Sequence, residues 1–266
     1  MKIAVLGTGN MGKALINGLK KAHGNNVSII AFDQIEKSLS GLDAQILQPA
    51  EWFADVNTPD AVIIAVKPSD IGAALLQFSS VNDNKKQKTL WISIAAGVNI
   101  ASLQNHLPSG ARICRVMPNM PALVGAAMSG CSLNDNCQKE DYATVETIFN
   151  AVGKCVIVPE KQMNAITGLS GSGPAYVYLF IEALIEGGVT AGLSYATARE
   201  CALQTVAGAA QMVIETGENT NVLKTRVMSP AGTTASGLNA LESHAFKHAV
   251  ISAVVEATKR SEQLGA

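Results

Sequence analysis

Two short stretches of this chain carry residues whose types and spacing could do chemistry. The first, Gly7-Thr8-Gly9-Asn10-Met11-Gly12, has the form G-x-G-x-x-G. In a strand-to-helix turn this pattern cradles the pyrophosphate of a dinucleotide. Its first glycine permits a tight turn, its second lets the backbone approach the phosphates, and its third lets the helix pack close to the strand. The helix N-terminus then presents free N–H groups and the positive end of a dipole. The second stretch, Ser229-Pro230-Ala231-Gly232-Thr233-Thr234, stands immediately before a predicted helix. There the N–H groups of Gly232 to Thr234 could bind a carboxylate, and a threonine hydroxyl could point at a reacting atom. The plainer alternative makes Thr233 and Thr234 ordinary helix caps.

Other candidates are weaker. Ala65-Val66-Lys67-Pro68 closes a predicted strand, and Pro68 forces Lys67 into an extended conformation. The segment reads equally well as a wall for a nicotinamide ribose or as a plain strand end with a solvated lysine. Gly168-Leu169-Ser170-Gly171-Ser172-Gly173-Pro174 spends three glycines at a cost in helix stability, so something must approach its backbone closely. That neighbour is either a ligand or another helix. His244 and His248 have the i, i+4 spacing of metal ligands but no third ligand nearby, so no metal site is assigned.

The elements that would position these residues fall into two groups. Lys2–Leu6 is an apolar strand and Lys13–Lys21 a helix. Val27–Phe32 is a second strand ending at Asp33, near the ~20-residue offset of a ribose-binding acid. Ala61–Val66 is a continuous apolar run, as in a parallel strand covered on both faces. Leu90–Ala95, Arg112–Val116 and Cys155–Val158 read as further strands. Asp70–Phe78, Ile100–His106 and Tyr142–Ala151 read as helices, and the polar stretch Val81–Lys88 as a solvated loop. The pattern predicts an α/β Rossmann-type doubly wound sheet domain over residues 1–160. Residues 161–266 predict an all-α C-terminal domain. Pro174 suits the first turn of one helix, and Ser194 caps the next over Tyr195–Thr216. Asn221–Val227, Thr234–Glu242 and Phe246–Leu264 follow. Tyr176–Ile185 and Ala202–Ile214 are apolar around most of their circumference, which predicts cover by a partner subunit. A substrate is expected where the two domains meet, at the carboxyl ends of the strands.

Composition narrows the function further. A net charge of -1 and a pI near 6.4 point away from nucleic acid and acidic membranes. Charged residues make up only 15 % of the 266 residues, which again suggests burial between subunits. The five cysteines form no C-x-x-C pair, which disfavours a disulfide framework or zinc site and fits a reducing cytoplasm. The apolar run at Lys2–Leu6 is too short for a signal peptide. Ala175–Leu193 contains Glu182, Glu186 and Gly187-Gly188, and reads as a buried helix rather than a membrane span.

Along essentially its whole length the chain resembles the pyrroline-5-carboxylate reductase family. The matching segments are Gly7–Gly12, Ala65–Pro68 (AVKP), Ser93–Val98 (SIAAGV), Arg115–Pro121 (RVMPNMP), Thr167–Tyr176 (TGLSGSGPAY) and Ser229–Thr234. The resemblance implies reduction of the cyclic imine 1-pyrroline-5-carboxylate to L-proline with NADPH or NADH. It also implies a homodimer through the C-terminal helices and assembly into a decamer of five dimers. By resemblance, Thr234 lies beside the ring nitrogen as the catalytic residue. Ser229, Gly232 and Thr233 hold the carboxylate, and Glu160 approaches the substrate. Gly7, Thr8, Gly9, Asn10, Met11, Gly12, Ala65, Val66, Lys67 and Ala95 match cofactor contacts. Asp33 joins them from its place at the end of the second strand.

Three positions depart from the family pattern. Met120 replaces a usual Thr, and Ala231 replaces a usual Gly, which matters if that position needs positive φ. Asp33 favours a ribose 2′-OH and repels a 2′-phosphate, so NADH is expected to work here although the family commonly uses NADPH. A β-hydroxyacid dehydrogenase would place a catalytic Lys after the glycine-rich stretch, yet Gly168 to Ala198 contains no Lys, Arg or His. A nucleotide sensor without chemistry would have no need of an intact Ser229–Thr234 segment.

Overall fold

The computed structural model of the chain describes residues 1–54 and 57–265. It divides into two compact units, Met1–Ser172 with Glu256–Ala266, and Gly173–Val255.

The first unit is built on strands β1 (Lys2–Leu6), β2 (Ser28–Phe32), β3 (Gln45–Ile46), β4 (Ala61–Ile64), β5 (Leu90–Ser93), β6 (Arg112–Met117), β7 (Ala127–Leu133) and β8 (Gly153–Ile157). They form one sheet in the order β3-β2-β1-β4-β5-β6-β7-β8. Strands β1 to β6 are mutually parallel, β7 runs antiparallel to β6, and β8 is parallel to β7. The first six have the order of a dinucleotide-binding sheet, with the reversal of winding between β1 and β4. Helices α1 (Asn10–His23), α2 (Glu36–Leu39), α3 (Ile71–Leu76), α4 (Asp83–Lys88), α5 (Ile100–Gln104), α6 (Lys139–Asn150) and α7 (Met163–Ile166) connect and cover the strands.

Each face of the sheet has its own core. Ile3, Val5, Ile63, Leu15, Ile16, Leu19, Ile148 and Phe149 pack on one side. Ala4, Leu6, Val62, Ile64, Trp52, Phe78 and Trp91 pack on the other. Every residue of β4 is buried, as its uninterrupted apolar sequence requires of a strand covered on both faces.

One local expectation is corrected, and one strand was not expected. Val81–Lys88 is not all loop: Asn82 accepts a hydrogen bond from the Asn84 amide at 2.9 Å and starts α4. A capping Asn followed by basic residues in the last turn supports a short helix despite its polarity. β7 escaped the sequence reading because Ala-Met-Ser-Gly-Cys-Ser-Leu is rich in small residues. Its Gly130 leaves room for Ile166, whose side chain a Cβ there would meet.

The second unit contains α8 (Gly173–Thr190), α9 (Tyr195–Thr216), α10 (Thr220–Arg226), α11 (Thr233–Ser243) and most of α12 (Phe246–Leu264). Ser194 caps α9 as expected, its Oγ accepting from the Thr197 amide. In the single chain α8 has no buried residue, and Val177, Tyr178, Leu179 and Leu184 on it are exposed. Among the described residues no helix is long and apolar enough to cross a membrane.

Candidate active site

The glycine-rich loop leaves β1 at the point where the winding reverses. Gly7 adopts φ +97°, and its amide donates to the Phe32 carbonyl at 2.8 Å. A Cβ on Gly7 would lie 2.8 Å from the carbonyl carbon and oxygen of Ala65. The loop therefore rests directly on the end of β4, and Ala65 and Val66 are its floor. A Cβ on Gly12 would collide with the Gly7 carbonyl oxygen. Gly9 is different: a Cβ there would meet nothing within 4 Å. The three glycines thus divide their work as turn, open approach and close packing, the division that pyrophosphate binding needs.

Gly9 is also the N-cap of α1, with no side-chain cap and no acidic residue in the first turn. The first N–H groups of a 14-residue helix are left for a ligand. Thr8 is buried, whereas Gly9 and Asn10 are exposed and Met11 is half-buried. Thr8 is held by Asp33, whose Oδ2 accepts from the Thr8 amide at 2.6 Å and from its hydroxyl at 3.2 Å. Asp33 Oδ1 accepts from the Ile35 amide at 2.9 Å. Three donors hold the carboxylate in place at the carboxyl end of β2. A carboxylate has about four acceptor positions, so one remains for a ribose hydroxyl. The loop and the acid together fit a dinucleotide. Lys67 is exposed at the turn after β4, and Ala95, 5 % exposed, follows β5.

Glu160 takes a position that sequence reasoning did not supply. Its Oε1 accepts from the Ile100 amide at 2.8 Å and pairs with Arg115 Nη1 at 3.3 Å. The carboxylate thereby ties the segment before α7 to the start of α5 and to the buried end of β6. Arg115 and Asn119, both within the RVMPNMP segment, carried no assigned role in the sequence. Asn119 is 9 % exposed. Its Oδ1 accepts from the Met128 amide at 2.9 Å, and its Nδ2 donates to the Ser170 carbonyl at 3.0 Å. The glycine-rich stretch 168–173 forms a π-helical turn at Thr167–Gly171, where a Cβ on Gly171 would lie 2.7 Å from Met117 Cε. The neighbour that Gly171 admits is therefore the end of β6. Gly173 has open space around it.

In the second unit, Ser229–Gly232 is a turn closed by the Gly232 amide donating to the Ser229 carbonyl at 3.0 Å. Ala231 occupies its third position with φ +56°, a conformation that favours glycine. A Cβ on Gly232 would collide with Ser229 Oγ, so a larger residue there would force the Ser229 hydroxyl out of its present position. Gly232 is the N-cap of α11, in extended conformation and without a side-chain cap. Thr233 and Thr234 are the first two helical residues, so neither is the N-cap. The amides of this first turn are free of side-chain competition, Thr233 is exposed and Thr234 is half-buried. The loop has the properties of an anion cradle with a hydroxyl beside it.

An open glycine-rich loop at the carboxyl edge of a doubly wound sheet, followed in the chain by a helical unit, has the make-up of a dinucleotide-dependent oxidoreductase. Comparison with known proteins sharpens that class. Residues 2–97 match the family described as NADP oxidoreductase coenzyme F420-dependent, and residues 160–264 match pyrroline-5-carboxylate reductase dimerisation. The chain is 41 % identical to the pyrroline-5-carboxylate reductase of Methanosarcina acetivorans, over 99 % of this chain and 98 % of that one. It superposes on the Coxiella burnetii pyrroline-5-carboxylate reductase with a TM-score of 0.89, at 31 % identity over 99 % and 98 % of the two chains. For the NADP-bound Plasmodium falciparum pyrroline carboxylate reductase the TM-score is 0.83, at 34 % identity over 100 % and 98 %. The chain belongs to the pyrroline-5-carboxylate reductase family.

Proposed function

We infer that this chain reduces 1-pyrroline-5-carboxylate to L-proline with NADPH or NADH, the last step of proline biosynthesis. One observation carries the reading beyond family membership. Both candidate loops end in a glycine N-cap, Gly9 and Gly232, that leaves the helix amides without a side-chain acceptor. The pair suits an enzyme that must hold a pyrophosphate and a carboxylate.

Gly7–Gly12, Asp33, Ala65, Val66, Lys67 and Ala95 form the proposed cofactor site. Gly9 gives the phosphates their approach, the first turn of α1 supplies donors, and Asp33 takes the adenosine ribose. When bound, NAD(P)H supplies the hydride. Ser229, Gly232 and Thr233 bind the substrate carboxylate at the start of α11, and Glu160 is assigned to the substrate as well. Thr234 places its hydroxyl beside the ring nitrogen. A protonated imine is already an electrophile, so proximity, orientation and one hydrogen bond at nitrogen suffice. A carbonyl reductase would need a stronger acid such as Lys, His or Tyr.

Residues 1–160 are assigned to dinucleotide binding, and 161–266 to dimerisation and substrate. The exposed apolar side chains of α8 support a homodimer through these helices, and a decamer of five dimers is the assembly proposed. Five free cysteines suit a cytoplasmic enzyme. Transfer of deuterium from NADH or NADPH dideuterated at C4 to C5 of proline tests the reaction; proline without the label would contradict it.

A further inference from the structure

Asn119 joins two segments that the reaction above leaves without a task, RVMPNMP and TGLSGSGP. Its carboxamide is buried and uses both ends: Oδ1 accepts from Met128 and Nδ2 donates to the Ser170 carbonyl. The partners fix its orientation, since an amide N–H requires the oxygen and a carbonyl requires the nitrogen. Ser170 has a specific reason to need that donor. In a regular helix its carbonyl would accept from the residue four positions on, which is Pro174, and proline has no N–H.

The turn is also unusual in itself. The Ser172 amide donates to the Thr167 carbonyl, five residues back, at 2.8 Å. Such π-turns are rare and recur at functional sites. The hydroxyls of Thr167 and Ser170 return to the carbonyls of Met163 and Ile166, so neither serves Ser170's carbonyl. Gly171 rests on Met117, the last residue of β6. The π-turn therefore sits at the carboxyl end of the parallel strands, the edge that also carries the Gly7–Gly12 loop, Ala65–Lys67 and Ala95. Ligands of doubly wound sheets bind along that edge.

We propose that Asn119 is a positioning residue for imine reduction, supplying the Ser170 carbonyl with the hydrogen bond that Pro174 cannot and so holding the π-turn Thr167–Gly171 at the carboxyl end of β6. This rests on the reaction assigned above. Asn119→Ala lowers kcat about tenfold and speeds hydrogen exchange at the Ser172 amide about tenfold, the effect of removing one hydrogen bond from a half-buried carbonyl. The KM for the nicotinamide cofactor stays within about twofold, because the pyrophosphate loop is untouched. Adding Pro174→Ala restores a backbone donor four residues from Ser170, and the double variant regains most of the lost kcat and protection. Should Asn119→Ala fail to fold, Asn119→Asp carries the same test at a pH high enough to ionise the new carboxyl, where it keeps an acceptor for Met128 and has no proton to donate to Ser170. Wild-type kcat in either single variant, or a double variant no better than the single, would overturn the proposal. Amide exchange needs no substrate: if the wild-type protein does not reduce the imine, the reaction falls, while Ser172 still reports whether Asn119 holds the turn.

Discussion

The amide and the hydroxyl of Thr8 both donate to the same oxygen of Asp33, at 2.6 and 3.2 Å. The residue proposed to meet the cofactor ribose is thus also the anchor of the glycine-rich loop. Substituting Asp33 changes both. Asp33→Asn removes the charge and leaves the carboxamide nitrogen facing a donor, so kcat/KM falls for both cofactors. The fall is smaller for NADPH, whose 2′-phosphate no longer meets a carboxylate, and the NADPH/NADH ratio rises about tenfold. Steady-state kinetics with each cofactor measures the ratio. An unchanged ratio, or a wild-type enzyme with a large NADPH preference, contradicts the role given to Asp33.

Gly9 and Gly12 lie three residues apart and respond oppositely to a methyl group. A Cβ on Gly9 points into open space, so Gly9→Ala keeps its thermal stability and raises the cofactor KM by obstructing the pyrophosphate. A Cβ on Gly12 meets the Gly7 carbonyl, so Gly12→Ala loses roughly 1–3 kcal/mol of stability as overpacking does. Thermal melts paired with cofactor titration separate the two effects.

Thr234→Ala removes a hydroxyl and leaves the carboxylate cradle in place. It lowers kcat by about 10- to 100-fold while the cofactor KM is unchanged, and Thr234→Ser retains most of the turnover. Unchanged turnover in the alanine variant removes Thr234 from the mechanism.

Cys137 gives stability a pH dependence away from the site. Burial and the nearby Asp141 push its thiol from 9.0 up to about 11, and its single Sγ–H is shared between Asn134 Oδ1 and the Ile113 carbonyl. The folded protein therefore keeps this proton to higher pH than the unfolded chain does. Between pH 9 and 11 the native state binds more protons, so its stability falls as pH rises through that window and is unaffected below it. Denaturant unfolding at pH 8 and pH 10.5, compared with the same pair for Cys137→Ala, isolates the contribution. An equal loss in both proteins assigns the fall to other groups.

Much of this molecule can be read from its residues. Lys2–Leu6 and Ala61–Val66 announce themselves by continuous apolarity, and the loop between β1 and α1 by its glycine spacing. Ser194 marks the start of α9 by its capping hydroxyl. β7 gives no such signal, because Ala127, Ser129, Gly130 and Ser132 are small residues of low strand propensity, and Gly130 is small because Ile166 packs against it. The partners of Glu160 and Asn119 are equally illegible. Glu160 meets Ile100 across 60 positions and Asn119 meets Ser170 across 51, and only the fold creates those contacts. The sequence does hold one clue to the second: Pro174 takes a regular helix donor away from Ser170, and Asn119 supplies one in its place.

The account turns on imine reduction, and the absorbance of NADH or NADPH on adding 1-pyrroline-5-carboxylate to the pure protein measures it most directly. The account predicts rapid loss of absorbance with stoichiometric proline, using NADH as well as NADPH. Bound cofactor with no imine-dependent oxidation would contradict it and favour a nucleotide-sensing protein that retains this fold without the chemistry.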